Sequence, residues 1–177
     1  MLTADVRYAR CEPLILRSEG GFVNNRLDRG GPTNRGVTLD SLSAFLGRPA
    51  TVDELQAMDD ATTAAIFRLD YWAKIMGDGL PAGVDYIVFD EAVNQGPGRA
   101  ARQLQSSAGC VQDGVIGRVT LAHVTAMDPV ALVQAIRRER EAAYRAAPPD
   151  QWAEFGAGWI NRLDFVEPQA IAWAQAG

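Results

Sequence analysis

A chain of 177 residues, 47% apolar and 22% charged, holds enough apolar surface for one globular domain or one domain with two lobes. Its net charge of −5 excludes a general nucleic-acid binder, which would show a basic excess. Two cysteines, Cys11 and Cys110, form neither a disulfide framework nor a metal-ligand spacing, and read as two buried thiols.

The N-terminus, Met1 to Arg10, has no uninterrupted apolar stretch and does not read as a Sec-type signal peptide. No apolar run approaches the ~20 residues of a membrane span, so stable membrane insertion is not expected. Tyr8, Cys11, Ile15 and Ser18 recur at helical spacing and predict a helix from about Ala4 to Ser18, with Pro13 as a kink or restart. Gly20-Gly21 ends it. Phe22-Val23 and Gly36-Val37-Thr38 read as two short strands joined by a turn-rich loop. Leu39, Leu42, Phe45 and Leu46 predict a short helix closed by Gly47, and Thr51 with Glu54 is a capping box opening another. Asp59 or Asp60 caps a third, carrying Ile66, Phe67 and Tyr71. Gly77 to Gly83 is the clearest break and the expected lobe boundary or hinge. It divides a catalytic lobe, 4–79, from a helical lobe, 80–175. Beyond it lie a buried helix ending at Asn94-Gln95-Gly96, a helix over Arg99–Ala108, a turn region to Gly117, and a helix over Thr120–Met127. Asp128-Pro129 starts a helix running to about Ala146, and Pro148-Pro149-Asp150 breaks it. Trp152, Phe155 and Trp159 predict a final helical hairpin before Pro168. The fold class is mainly α with one small β-hairpin.

The chemistry concentrates on the segment after the first helix. Glu19 belongs to that helix's last turn, where the negative end of the helix dipole and partial burial beside Ile15 and Phe22 raise a carboxyl pKa. At a pKa of ~4.3 well under ~1% is protonated at neutral pH; at ~6 about a tenth is, which suits a general acid. Asp28 lies on the hairpin. Two carboxyls ~6.5–9.5 Å apart leave room for a water and describe an inverting glycosidase. Thr33 or Thr38 is placed to position that water. The structural alternatives are a surface Glu19, a turn-stabilising Asp28 and threonines that satisfy backbone. Arg17, Arg26, Arg29 and Arg35 give this stretch a local positive excess over Glu19 and Asp28. Asp90 and Asn94, one helical turn apart, are either sugar contacts or a buried hydrogen-bonded pair. His123, the single histidine, has no serine or cysteine partner; Asn24, Asn25 and Asp28 lack the spacing of a calcium loop. Trp152 and Trp159 are sugar-stacking candidates or core.

Glu19-Gly20-Gly21-Phe22-Val23, Asp28, Gly30-Gly31, Thr33 and Gly36-Val37-Thr38 closely resemble the signature of glycoside hydrolase family 108 muramidases, which include phage-type endolysins and toxin- or particle-release lysozymes. The resemblance continues through Tyr71-Trp72, Leu80-Pro81, Phe89-Asp90, Asn94-Gln95-Gly96, Leu104-Gln105, Asp113 to Gly117 and Thr120-Leu121, and Phe155, Gly158-Trp159 and Arg162 are similar to the family's C-terminal pattern. Arg118 departs from it, standing where a proline is usual. The resemblance implies a two-lobed lysozyme-like fold around a substrate cleft, with the region after Leu80 similar to a predicted peptidoglycan-binding part. It implies cleavage of the β-1,4 link between N-acetylmuramic acid and N-acetylglucosamine, with Glu19 as the acid. On this reading Asp28 and Thr33 complete the catalytic set, and Thr38, Asp90 and Asn94 are substrate contacts. No metal or cofactor is expected. The expected partners are peptidoglycan glycan strands and a holin or secretion system for export. The expected state is a monomer made in the bacterial cytoplasm and acting on the cell wall. A lytic transglycosylase and a non-catalytic wall-binding or secretion module are the alternatives.

Overall fold

The computed structural model describes residues 3–17, 22 and 32–177. Helix α1 spans Ala4–Leu16, and Thr3 caps it by accepting a hydrogen bond from the Val6 N–H. The predicted end at Ser18 and the Gly20-Gly21 stop lie outside the described residues. Pro13 neither kinks the chain out of the helix nor restarts it. It sits on the exposed face, as does Ala9, whose carbonyl loses its donor to the proline ring. Water can satisfy that carbonyl, so the helix continues. On the inner face Tyr8, Cys11 and Ile15 are buried. Tyr8, Trp72 and Phe89 form a ring triangle with centroids 5.4–5.8 Å apart.

Strands β1 (Thr33–Asn34) and β2 (Val37–Thr38) pair antiparallel, Thr33 opposite Thr38 and Asn34 opposite Val37. This corrects the expected pairing. Phe22 lies outside any strand, Val23 is not among the described residues, and β2 takes its partner from immediately before it. The two-residue turn explains why: Arg35 and Gly36 both have positive φ, 51° and 76°, which matches the twist of a tight hairpin. An ion pair from Arg35 to Asp60 holds the non-glycine member.

Helices α2 (Leu39–Leu46), α3 (Val52–Gln56) and α4 (Asp60–Phe67) follow as predicted, capped by Thr38, by the Thr51–Glu54 box and by Asp59. Gly47 ends α2 at φ 68°. A π-helical turn, Arg68–Trp72, extends α4 and delivers Trp72 to the core. Helix α5 (Val84–Gln95) is the axle of the molecule, with every residue from Val84 to Ala92 buried. It packs against α1, α6 (Pro97–Ser107), α8 (Pro129–Arg145) and α9 (Pro149–Ala176). Helix α7 covers Arg118–Thr125, and the loop before it hangs on Gln105, which reaches Asp113, the Val115 carbonyl, Thr120 and the Gly114 N–H.

The Gly77–Gly83 segment is packed closely. A Cβ on Gly77 would lie 2.5 Å from the Trp72 ring. Arg7 donates to the carbonyls of Leu80 and Asp78 at 2.6 and 2.7 Å and to Asp85 at 2.9 Å. One hydrophobic cluster runs from Tyr8 to Ala170 across this segment. A second correction concerns the C-terminus, where a single helix of 28 residues replaces the expected hairpin. Pro168 and Asp164, whose carbonyl it deprives, are both exposed, so hydration keeps α9 continuous as it does α1. The hairpin there is α8 against α9: Arg137 meets Asp164 and Glu167, Arg140 lies near Arg162 through Asp90, and Tyr144 stacks on Trp159, which fixes an antiparallel pair.

Candidate active site

The hairpin has two faces. Asn34 and Val37 are buried, and the Asn34 Nδ2 donates to the Leu55 carbonyl at 2.8 Å, riveting the hairpin to the end of α3. Thr33 and Thr38, opposite each other, are half-buried on the other face. Their hydroxyls differ. Thr38 accepts from the Ser41 N–H at 3.1 Å as the cap of α2. The Thr33 hydroxyl has no hydrogen-bond partner among the described residues. Glu19 and Asp28 lie outside the described residues. The structure gives the frame that flanks them: α1, with Arg17 as its C-cap, on one side and Pro32 and β1 on the other.

The end of α5 carries the second group of candidates. Asp90 is 1% exposed, and its two oxygens are taken by Arg140 at 2.8 Å and Arg162 at 2.9 Å. This corrects the expectation that Asp90 meets a sugar: a carboxylate with no surface has nothing to offer a ligand. The buried-pair alternative is the one observed, though with arginines rather than with Asn94. Glu91, also buried, forms an ion pair with Arg140. Burial pushes the Glu91 carboxyl above its usual range, with Arg140 opposing. Burial likewise works against the Arg140 charge, but Asp90 and Glu91 outweigh it and raise its pKa. Asn94, one turn on, is exposed, and its Oδ1 accepts from the Tyr144 hydroxyl at 3.3 Å. Arg140 in turn donates to that hydroxyl at 3.2 Å.

Sequence reasoning missed Arg140 and Tyr144. The signal was present: Val133, Ile136, Arg140 and Tyr144 recur at helical spacing along the buried stripe of α8, and an arginine in such a stripe demands a buried anion. His123 is exposed at the end of α7. Trp152, Phe155 and Trp159 pack on one another and on Tyr144 outside the main core, with Phe155 47% exposed. No cluster of metal-ligating residues occurs among the described residues. No single helix among them is long and apolar enough to cross a membrane. A cavity of about 410 Å³ beside Leu80, Pro81, Ala82 and Ala174 contains none of the site residues expected from sequence.

The sequence profile of glycosyl hydrolase 108 matches residues 13–96. The structure of Brucella abortus SagA superposes with a TM-score of 0.83 at 38% identity, over 96% of this chain and 97% of that one. The chain belongs to glycosyl hydrolase family 108. No curated protein matches it. Family 108 membership makes it a glycoside hydrolase and, at family level, a peptidoglycan hydrolase. The mainly α architecture with one small hairpin is the lysozyme-like fold expected from the sequence. The matched stretch contains Glu19, Asp28, Thr33, Thr38, Asp90 and Asn94.

Proposed function

We propose that the chain hydrolyses the β-1,4 bond between N-acetylmuramic acid and N-acetylglucosamine in peptidoglycan. Glu19 protonates the departing glycosidic oxygen. Asp28 takes a proton from water on the opposite face of the sugar, Thr33 holds that water, and the anomeric centre inverts. Thr38 and Asn94 contact the glycan. The observation that carries this reading is the family match over residues 13–96, which encloses both carboxylates. The Thr33 hydroxyl, five residues after Asp28 and without a hydrogen-bond partner among the described residues, supports the placement of the water. The expected setting is a monomer made in the cytoplasm and delivered to the wall through a holin or a secretion system.

The test is a reducing-end and mass assay on purified peptidoglycan. Glu19→Gln keeps shape and removes the acid, and is expected to lower turnover by about 10²–10⁴-fold. Near wild-type release by that variant refutes the assignment. Anhydro sugar ends, lighter by one water, would identify a lytic transglycosylase instead, and binding to the wall without any new ends would identify a non-catalytic module.

A further inference from the structure

Arg7 and Arg10 stand one turn apart on α1 and meet different fates. Arg7 is engaged by Asp85 and by the carbonyls of Leu80 and Asp78. Arg10, half-buried, pairs with no carboxylate among the described residues, and its Nε and Nη2 are buried without a hydrogen-bond acceptor there. Asp85 lies within its field, but the oxygens of that carboxyl are held by Arg7 and by the N–H groups of Gly83 and Tyr86. Its other polar neighbour, the Cys11 thiol, is kept protonated by burial. What supports the guanidinium is the Trp173 ring, whose centroid lies 4.2 Å away. A cation partly withdrawn from water with an unpaired edge costs stability until something supplies the acceptor.

The same side chain lines the cavity of about 410 Å³, with Leu80, Pro81, Ala82 and Pro129 on the wall and no hairpin residue among those that line it. Asp78 also borders it, and its carboxylate accepts from the Trp72 indole N–H at 2.6 Å and lies 3.7 Å from Arg68. An apolar cavity with one convergent charged donor is how small-ligand sites are built. A single guanidinium fork matches a planar carboxylate. The Asp78 charge disfavours an anion of higher valence, and the aliphatic wall suits a small apolar body. We propose that this cavity is a second binding site, taking a carboxylate borne on a small aliphatic group, such as the alanine end of a short peptide, with Arg10 reading the carboxylate. Binding turns the unpaired edge of Arg10 to the ligand and changes its contact with Trp173. The site goes beyond the hydrolase reading and needs no turnover at Glu19.

The experiment titrates the protein with N-acetyl-alanyl-alanine, and separately with its C-terminal amide, and follows tryptophan fluorescence. The acid should give a saturable response with a Kd on the order of 1 mM, the scale for a ligand of this size. The amide should bind at least about tenfold more weakly, the loss expected of a charge-assisted pair. Arg10→Gln removes the charge and leaves the cavity; Ala82→Leu fills the cavity and leaves the charge. Each should weaken the acid at least about tenfold, with thermal unfolding confirming that both variants fold. Trp173→Phe should lose the fluorescence response. No saturable response up to roughly ten times the expected Kd, equal affinity for acid and amide, or wild-type affinity in either cavity variant overturns the proposal. So does an unchanged response in Trp173→Phe, which would put the ligand elsewhere. A last comparison separates two sources of the same chemistry, and it alone rests on the proposed hydrolase reading. Wild type and Arg10→Gln are bound to glycan fragments with their stem peptides intact and to the same fragments stripped by an amidase. Tighter binding of the intact fragments by wild type alone assigns the cavity to the wall's own peptides, and equal binding of both assigns it to a free acid.

Discussion

Thr33 and Thr38 share a register position and a face, yet among the described residues only Thr38 makes a side-chain hydrogen bond. Thr38 caps α2, so Thr38→Val is expected to cost about 1 kcal/mol, as lost caps do. The Thr33 hydroxyl caps no helix among the described residues, so Thr33→Val should change stability by less than about 0.5 kcal/mol. If Thr33 holds the attacking water, the same substitution lowers kcat at nearly unchanged KM. Denaturation curves beside steady-state kinetics check both halves, and a Thr33→Val enzyme with full turnover removes the water-positioning role. At this scale the sequence was partly legible. Thr51 with Glu54 and Asp128 with Pro129 act as read, because capping is local chemistry. Asp90 was misread because its fate depends on Arg140 and Arg162, fifty and seventy-two residues away.

Element boundaries followed local signals wherever local signals decide them. Gly47 stops α2 and Pro149 starts α9. The failures share one cause. Pro13 and Pro168 look like breaks, yet each falls on a solvent-facing stripe, and which stripe faces solvent is settled by packing partners. The strand Thr33–Asn34 was missed because Arg35 is an unusual occupant of a left-handed turn position and its partner Asp60 is distant in sequence. The Gly77–Gly83 join is where element packing is least forgiving. Gly83 has φ +82°, and a Cβ there would lie 2.1 Å from the Ala170 carbonyl oxygen. Gly83→Ala should therefore destabilise by roughly 3 kcal/mol, combining left-handed strain with overpacking against α9. The size of the loss separates this close approach from mere turn preference. A drop well under 1 kcal/mol in urea titration would show that α9 yields easily at that point.

Across the whole molecule, the buried Arg7–Asp85 pair couples α1 to the start of α5 and makes stability depend on pH. Burial pushes the Asp85 carboxyl up to about 6, while Arg7 and the N–H groups of Tyr86 and Gly83 pull it down. A raised carboxyl binds more protons folded than unfolded, so its contribution is fully present below about pH 4 and is lost as pH rises through 6. The unfolding free energy of wild type relative to Asp85→Asn should fall by roughly 2–3 kcal/mol across that window. A difference that stays flat there would mean that the pair keeps Asp85 ionised throughout. The same inner face of α1 holds Cys11 at 0% exposure, with burial and Asp85 pushing its thiol up, whereas Cys110 is only partly covered. A thiol-specific dye should therefore mark Cys110 promptly and wait for α1 to lift before it marks Cys11. Simultaneous labelling of both would contradict that seal. The delay between the two marks is a stopwatch native to the chain, timing how long the helix that leads into Glu19 stays seated between openings.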